Sequence, residues 1–547
     1  MKNKIMSNAL KKAGLERNTL SSDKKTNIAP SKNKSKNKSK KTNSIKQKKK
    51  TPNRESKTQH VHIIKEQQKK EKDITLLDVA FQPNSILVND HEDKVSITKP
   101  KVEYKKPENT NYSDHIIVGL DIGTSATKVV FRDHNKNQAY AIKLTTDNVN
   151  PFIIPSRVFL NGNTYSLTGK ENCLKNFKLD LLENPKNHEA MVIITAFIAL
   201  VFRHSINIFF SDVGKIYSQS EIDWEVNIGV PADSMNNQEL LTVFKIAGVA
   251  GLNLGFSSSD ITNQKLKYYI ELVENGLINH DDSVFNELES DMINVVPELT
   301  AQIQGFLKSR KWDKRKNNMM LIDVGGSTVD ACYFVITGTD YEPQHNIYTA
   351  AVWKNGALIL HDGRISWLKR KISENGISAP EIISYLDEIY SHKISQQALP
   401  ESIEEYVNTI KINSNNFDIK FKNDIGYSIS HDIFLPGVNK YAHPHEKSTK
   451  VFICGGAGDM SIYNDFVRCF NDNISYSSRM TLTELFIPNN LLADGLVKSN
   501  FHRLSLAFGL SHDAEELLHI KLPKDIPKEP VTQPHNHTDN YISKDMC

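Results

Sequence analysis

Two short stretches of the chain carry the same chemical pattern. Asp121-Ile122-Gly123-Thr124-Ser125 and Asp323-Val324-Gly325-Gly326-Ser327-Thr328 each set an acid ahead of a glycine turn and small hydroxyl residues. With Asp121 placed on Asp323, Gly123 meets Gly325, Thr124 meets Gly326, Ser125 meets Ser327 and Phe131 meets Tyr333. Glycine lets the backbone approach an anion closely, and successive N–H groups in such a turn form an anion-binding nest. Thr124, Ser125, Ser327 and Thr328 add hydroxyl donors. Asp121 and Asp323, at strand ends, can hold Mg²⁺ through its water shell, because Mg²⁺ dehydrates reluctantly. One copy alone is simply a good hairpin turn. Two copies about two hundred residues apart in matching contexts point to phosphate and metal chemistry.

The flanking residues say what must position these turns. The apolar run Ile116–Gly123 followed by Thr127–Phe131 reads as a hairpin, and Asn318–Gly326 followed by Val329–Ile336 repeats it. A third strand, Val451–Ile453, leads into Cys454-Gly455-Gly456. Helical periodicity occupies Gln238–Gly248, Leu266–Glu274, Pro297–Leu307 and Arg503–Leu510. Strands and helices mix throughout, so the fold class is α/β. The duplicated hairpins imply two similar lobes with a ligand cleft between them.

Charge is unevenly spread along the 547 residues. Residues 1–72 carry 23 Lys and Arg against 5 Asp and Glu, whereas the remainder carries 45 against 59. The first stretch, with its near-repeat Ser31–Lys40, cannot bury enough apolar surface to fold and reads as a disordered basic tail. It is suited to a polyanion, either nucleic acid or an acidic membrane surface. A short apolar stretch, Ile74–Leu87, is expected to form local structure, a second linker with Pro100 and Pro107 follows, and order is expected from near Ile116. Cys173, Cys332, Cys454, Cys469 and Cys547 form no C-x-x-C pair, which suits a reducing cytoplasm. No signal peptide is read in the first 50 residues. The longest apolar run, Ala190–Phe202, is too short for a bilayer and predicts a buried helix, so no transmembrane segment is expected.

GLDIGTSATKVVF and LIDVGGSTVDACYF resemble the first and second phosphate loops of the actin, sugar-kinase and heat-shock ATPase superfamily. FICGGAGDMSIY (Phe452–Tyr463) is similar to its adenosine motif, with Gly455, Gly456 and Ala457 against base and ribose. Val226–Leu254 and Val296–Leu307 resemble segments of the nucleotide-binding domain of the seventy-kilodalton heat-shock chaperones, and Arg503–Ser511 resembles its last connecting helix. The resemblance covers roughly Ile116 to Ser511 and implies an actin-like, two-lobed fold of duplicated ribonuclease H-like lobes that binds ATP and Mg²⁺. It departs from the family in the residues of Gly255–Asp291 and in Ala457-Gly458-Asp459. On the resemblance, Glu298 orients the attacking water, with Asp121 and Asp323 as its catalytic companions. The family's ATP-clamping lysine is matched best by Lys178, with Lys175 as the neighbouring candidate.

Other residues read more plainly. Glu298 also suits a helix N-terminus, where it complements the macrodipole. Lys128 reads as an outward hairpin residue, Asp330 sits at the equivalent place in the second loop and could lie near the metal, and His361 reads as a packing or surface residue. The expected organisation is a tail and linker (1–113), lobe I (114–317, outer insert about 151–223), lobe II (318–511, outer insert about 368–442) and a polar C-terminal tail (512–547). The expected function is a slow ATPase switch acting on a protein partner. An actin-like filament or scaffold ATPase fits GLDIGTSATK equally, and a small-molecule kinase is a third class. Only 36 residues follow Ser511, whereas a peptide-gripping β-sandwich needs about 100. ATP-driven release of extended peptides is therefore expected to be absent.

Overall fold

A strand buried on both faces needs a continuous apolar run rather than alternation, and Ile116–Ile122 supplies one. In the computed structural model this run ends strand β2 (Tyr112–Ile122), buried throughout its last seven residues. The structure describes residues 73–88, 96–105, 110, 112–146, 150–217, 219–231, 237–276, 292–309, 318–338, 343–390, 399–413, 417–440, 448–472, 479–518, 521, 523 and 526. The basic tail expected over 1–72 lies outside the described residues.

β2 pairs antiparallel with β3 (Ala126–Asp133), which pairs antiparallel with β4 (Gln138–Ala141). On the other side, β9 (Ser220–Val230) runs parallel to β2, and β10 (Ile293–Pro297) runs parallel to β9. The second sheet repeats this plan. β11 (Asn318–Val324), β12 (Val329–Gly338) and β13 (Pro343–Trp353) form the antiparallel meander. β15 (Ser448–Cys454) and β16 (Arg479–Leu482) then add in parallel beside β11. Both sheets thus have the spatial order third, second, first, fourth, fifth. Smaller pieces complete the set. β5 (Ile154–Pro155) pairs with β3, and β6 (Val158–Asn161), β7 (Thr164–Ser166) and β8 (Cys173–Leu174) form a three-stranded sheet. β17 (Leu491–Leu492) extends the first sheet beside β4.

Helices His188–Val213 and Gln238–Phe256 pack together in the largest core cluster, which includes Val118, Leu120 and Phe131 of the first sheet. Both are long and apolar enough to cross a membrane by length and composition, yet most of each is buried inside the protein. The burial expected of Ala190–Phe202 is what the fold shows, every residue but Leu200 being fully buried there. In the second sheet, helices Phe417–Ser428 and Ser461–Asp472 cover one face.

The chain exchanges elements between the two sheets. Helix Glu298–Ser309 leaves β10 of the first sheet and packs Leu299, Ile303 and Phe306 on the second. Helix Phe501–Leu510 follows β17 of the first sheet, accepts a hydrogen bond from the Gly455 N–H of the second at its His502 carbonyl, and packs Phe501, Leu504, Ala507 and Phe508 on the first. The two helices cross where side chains are nearly absent: a Cβ on Gly509 would lie 1.8 Å from the Ala301 carbonyl oxygen. The boundary expected at 317/318 therefore divides the chain differently from the packing, because β17 and the last helix belong with the first sheet.

Two expected tails are also corrected. The stretch expected to form local structure within the linker does so, as β1 (Ile74–Leu76), paired with β14 (Ile410–Ile412), and a short helix, Ser85–Val88, but it is docked on the body rather than part of a tail. Ile74 and Leu87 are buried in a separate core with Ile365, Leu386 and Tyr406. Tyr104 packs against Phe210 and Trp224, so packed structure is already present well ahead of Ile116. At the other end, His512 is buried and helix Ala514–Leu518 seats Leu517 against Val296 and Ala301. Residues 512–518 thus belong to the body.

Candidate nucleotide site

The two hairpin turns close with matching register. Ile122 pairs with Thr127 in the first, and Val324 pairs with Val329 in the second, leaving four residues in each turn. Each turn is held by its carbonyls. In the first, Ser156 Oγ donates to the Gly123 carbonyl (2.6 Å) and the Ser156 N–H donates to the Ser125 carbonyl (3.0 Å). In the second, the N–H groups of Ala357, Leu358 and Gly356 bind the carbonyls of Gly325, Gly326 and Ser327. A trans peptide points its C=O and N–H in opposite directions. The N–H groups of Gly326, Ser327 and Thr328 consequently point away from that anchoring segment. The turns meet face to face: a Cβ on Gly326 would lie 2.4 Å from Ser125 Oγ, a buried atom without a hydrogen-bond partner.

Between the sheets lies a cleft of ≈ 250 Å³. One buried water needs roughly 10–15 Å³ of such space, so the cleft admits a much larger ligand. Asp121, Gly123, Thr124, Ser125, Lys178, Glu298, Asp323, Gly325, Gly326, Ser327, Thr328, Gly455, Gly456 and Ala457 all line it. These are the residues singled out from the sequence, drawn from segments more than three hundred residues apart. Lys175 is not among the lining residues.

Two buried ion pairs cross the cleft floor. Lys178, on helix Phe177–Glu183, donates from Nζ to Glu298 Oε1 at 2.6 Å and to the Ile122 carbonyl at 2.5 Å. Lys128 Nζ donates to Asp121 Oδ2 at 3.0 Å. The outward orientation expected for Lys128 is therefore incorrect. Lys128 sits directly opposite Asp121 across the hairpin, and such partners share a face. Asp330 is likewise directly opposite Asp323. It is buried, lines the cleft, and leaves Oδ1 without a hydrogen-bond partner.

Four carboxylates (Asp121, Glu298, Asp323, Asp330) thus face two ammonium groups. Burial, then the charges of Glu298 and Asp121, push the Asp323 carboxyl up to about 7. Burial, then Glu298 and Asp323, hold Asp330 well above the ordinary carboxylate range. The site is short of positive charge, and a hydrated divalent cation fits that deficit. Among the described residues, the triad of candidate ligand atoms within 4.8 Å of one another is His115, His134 and Asp513, not these carboxylates. Their spread suits a cation held through its waters better than one bound directly.

The third glycine turn follows β15. Gly455 has φ 87° and stands so close to Asp323 that a Cβ would meet Oδ1 at 2.1 Å. Glycine is thus required twice, for the left-handed backbone and for the approach. Several lining residues were not singled out from the sequence. Arg503 donates from Nη2 to the Gly456 carbonyl at 2.9 Å, with Asp459 nearby, and Gln302 bonds Ser505 across the helix crossing at 2.6 Å. Arg503 and Gln302 lie within helical segments read from periodicity, which carries no signal for a side chain that turns toward a distant turn. Leu179, Leu182, Leu358, Leu399 and Met460 give the cleft its apolar lining. His361 lies outside it: both ring nitrogens are hydrogen-bonded, to the Tyr406 hydroxyl and the Ile389 carbonyl, at 2.7 Å each. It is a packing residue, one of the two roles expected for it. The C-terminal pair His535 and His537, too sparse in its surroundings to read as a metal site from the sequence, lies outside the described residues.

No family model matches the chain, and no curated protein matches it.

Proposed function

We propose that this chain is a Mg²⁺-dependent ATP-binding protein of the actin-like, two-lobed kind, related to the heat-shock-seventy nucleotide domain and acting as a nucleotide-driven switch on a protein partner. The observation that carries the reading is the convergence of both Asp-x-Gly turns, the Gly455–Ala457 turn, Lys178 and Glu298 on one cleft between two sheets of the same strand order. In this reading the turn N–H groups and hydroxyls of residues 123–125 and 325–328 cradle phosphate oxygens. Asp121 and Asp323 hold the hydration shell of the cation, and Gly455, Gly456 and Ala457 border base and ribose. Mg²⁺ held there would supply positive charge against the charge that develops on a transferring phosphoryl group. Glu298, at the first turn of its helix, orients the attacking water, and Lys178 holds its carboxylate in place. Helices Glu298–Ser309 and Phe501–Leu510 each begin at the cleft side of one sheet and pack on the other, which suits a hinge.

The test is ATP affinity and turnover of the full chain, with and without Mg²⁺, for the natural sequence and Glu298→Gln. Saturable binding strengthened by Mg²⁺ is expected. Glu298→Gln should bind ATP within about threefold of normal while turnover falls by roughly 10²-fold or more, the scale of a lost proton-transfer group. Absence of ATP binding would overturn the reading, and equal loss of affinity and turnover would reassign Glu298 to a structural role.

A further inference from the structure

At the end of the first sheet remote from the cleft, a second group of chemistry-bearing side chains converges. β2 carries both Asp121 at the cleft and His115 six residues earlier, so about 20 Å separates them along the strand. His134 follows the end of β3 and lies beside His115: its N–H donates to the His115 carbonyl at 3.0 Å, and the two rings stand 5.3 Å apart. Asp513, just beyond helix Phe501–Leu510, completes the group, with its Oδ1 3.1 Å from His134 Nδ1. One ligand atom from each of His115, His134 and Asp513 lies within 4.8 Å of the other two.

We propose that His115, His134 and Asp513 form a binding site for a borderline transition-metal cation of the Zn²⁺ class, distinct from the nucleotide cleft. Two imidazoles and one carboxylate are a ligand set that Zn²⁺ accepts, leaving a fourth position for water or a further carboxylate. At bond lengths of about 2.0–2.1 Å, tetrahedral ligand atoms stand ~3.4 Å apart. The His134–Asp513 spacing of 3.1 Å already falls near that edge. His134 is exposed, so its ring is free to close the remaining gap and a cation has an entry path. The surroundings supply the outer support that metal-bound histidine commonly shows. Glu225, on β9, places Oε2 3.3 Å from His115 Nε2. Its Oε1 accepts from the Ala514 N–H at 3.1 Å and from Asn294 Nδ2 at 3.2 Å. If His115 Nε2–H donates to Glu225, Nδ1 is left as the ligand atom. Asp513 is the chain's exit from the crossing helix, and Asn227 Nδ2 already binds the Leu510 and His512 carbonyls beside it. A metal here fastens that exit to β2 and β3, fixing one end of the element that links the two sheets. This site does not depend on the ATP reading.

The experiment is calorimetric titration of the full chain with Zn²⁺, with Co²⁺ as an optical probe and melting curves at each metal concentration. One event with a metal-induced rise in Tm is expected, with the strong visible absorption of tetrahedral Co²⁺. His134→Ala, at an exposed position, should fold normally yet bind at least tenfold more weakly and lose the Tm rise. Asp513→Asn should do the same. The event should persist in His535→Gln/His537→Gln. A natural chain that does not bind Zn²⁺, or an event that survives His134→Ala and Asp513→Asn, overturns the proposal, as does one removed only by the His535 and His537 changes.

Discussion

Asp323 is half-buried at the cleft wall with two neighbours of its own sign, and desolvation, then those charges, push its carboxyl up to about 7. That strain and the proposed role are two sides of one arrangement. Asp323→Asn removes the repulsion with Glu298 and Asp121 at almost no change in shape, so the ligand-free protein is expected to melt at a higher temperature. The same change removes a carboxylate that holds the cation's waters, so Mg²⁺-ATP affinity is expected to fall about tenfold or more, equivalent to roughly 1.4 kcal/mol. Melting curves with and without Mg²⁺-ATP read both effects, and an unchanged ligand-induced shift would remove Asp323 from the metal site. His361 gives a pH dependence of the opposite origin. Burial, only partly offset by its bond to Ile389, holds its imidazole down to about 4, below the usual 6.5. The unfolded chain takes up this proton first on acidification, so native stability is full above about pH 6.5 and is lost between there and pH 4. The shift corresponds to roughly 3 kcal/mol at most. His361→Gln is expected to lower Tm at pH 8 but to narrow the difference between pH 8 and pH 5, and an unaltered difference would show that other groups set the acid limb.

Elements explain which of these residues could be read in advance. The hairpin turns and the Gly455 turn were legible because their residue types are fixed by local backbone needs, such as the positive φ at Gly455, whereas Glu298 was read from the resemblance of its segment. Lys128 was legible in principle: a four-residue turn sets it opposite Asp121, and the alternation of strand faces then points it into the cleft. The apolar run Ile74–Leu87 showed that local structure forms there, but the docking of Ile74, Leu87 and Tyr104 was not legible, because their partners, such as Leu386 and Trp224, lie far away in sequence. The exchange of helices between sheets was hidden for the same reason. Its physical basis is the close crossing at Ala301, Gly305, Ser505 and Gly509, where a Cβ at Gly305 would also stand 2.3 Å from the Ser505 carbonyl oxygen. Gly509→Ala is therefore expected to cost about 1–3 kcal/mol through forced separation of the helices. Gly456→Ala, whose Cβ would meet nothing within 4 Å, is expected to leave ligand-free stability unchanged. Chemical denaturation of both variants checks this contrast, and equal midpoints would mean that the crossing yields without strain.

On the scale of the whole molecule, the chain divides by charge more sharply than by fold. Residues 1–72 hold 23 basic against 5 acidic residues, and everything after them holds 45 against 59. A polyanion is therefore attracted by the first segment and repelled, on average, by the rest. This segment contains no Phe, Tyr or Trp, so stacking on bases does not contribute and recognition rests on diffuse charge. Such binding releases counterions and weakens steeply with salt, by about 10³–10⁵ between 50 and 200 mM when six to ten phosphates are neutralised. The full chain is expected to bind single-stranded RNA, DNA and anionic vesicles with little preference at low salt, and to release them as salt rises. Deletion of residues 1–72 is expected to abolish that binding while leaving Mg²⁺-ATP affinity within about twofold, since every lining residue of the cleft lies beyond residue 120. The two readouts separate two ideas. Polyanion binding that survives the deletion would place the basic surface on the body, whereas loss of ATP affinity would show that the segment acts on the cleft rather than beside it.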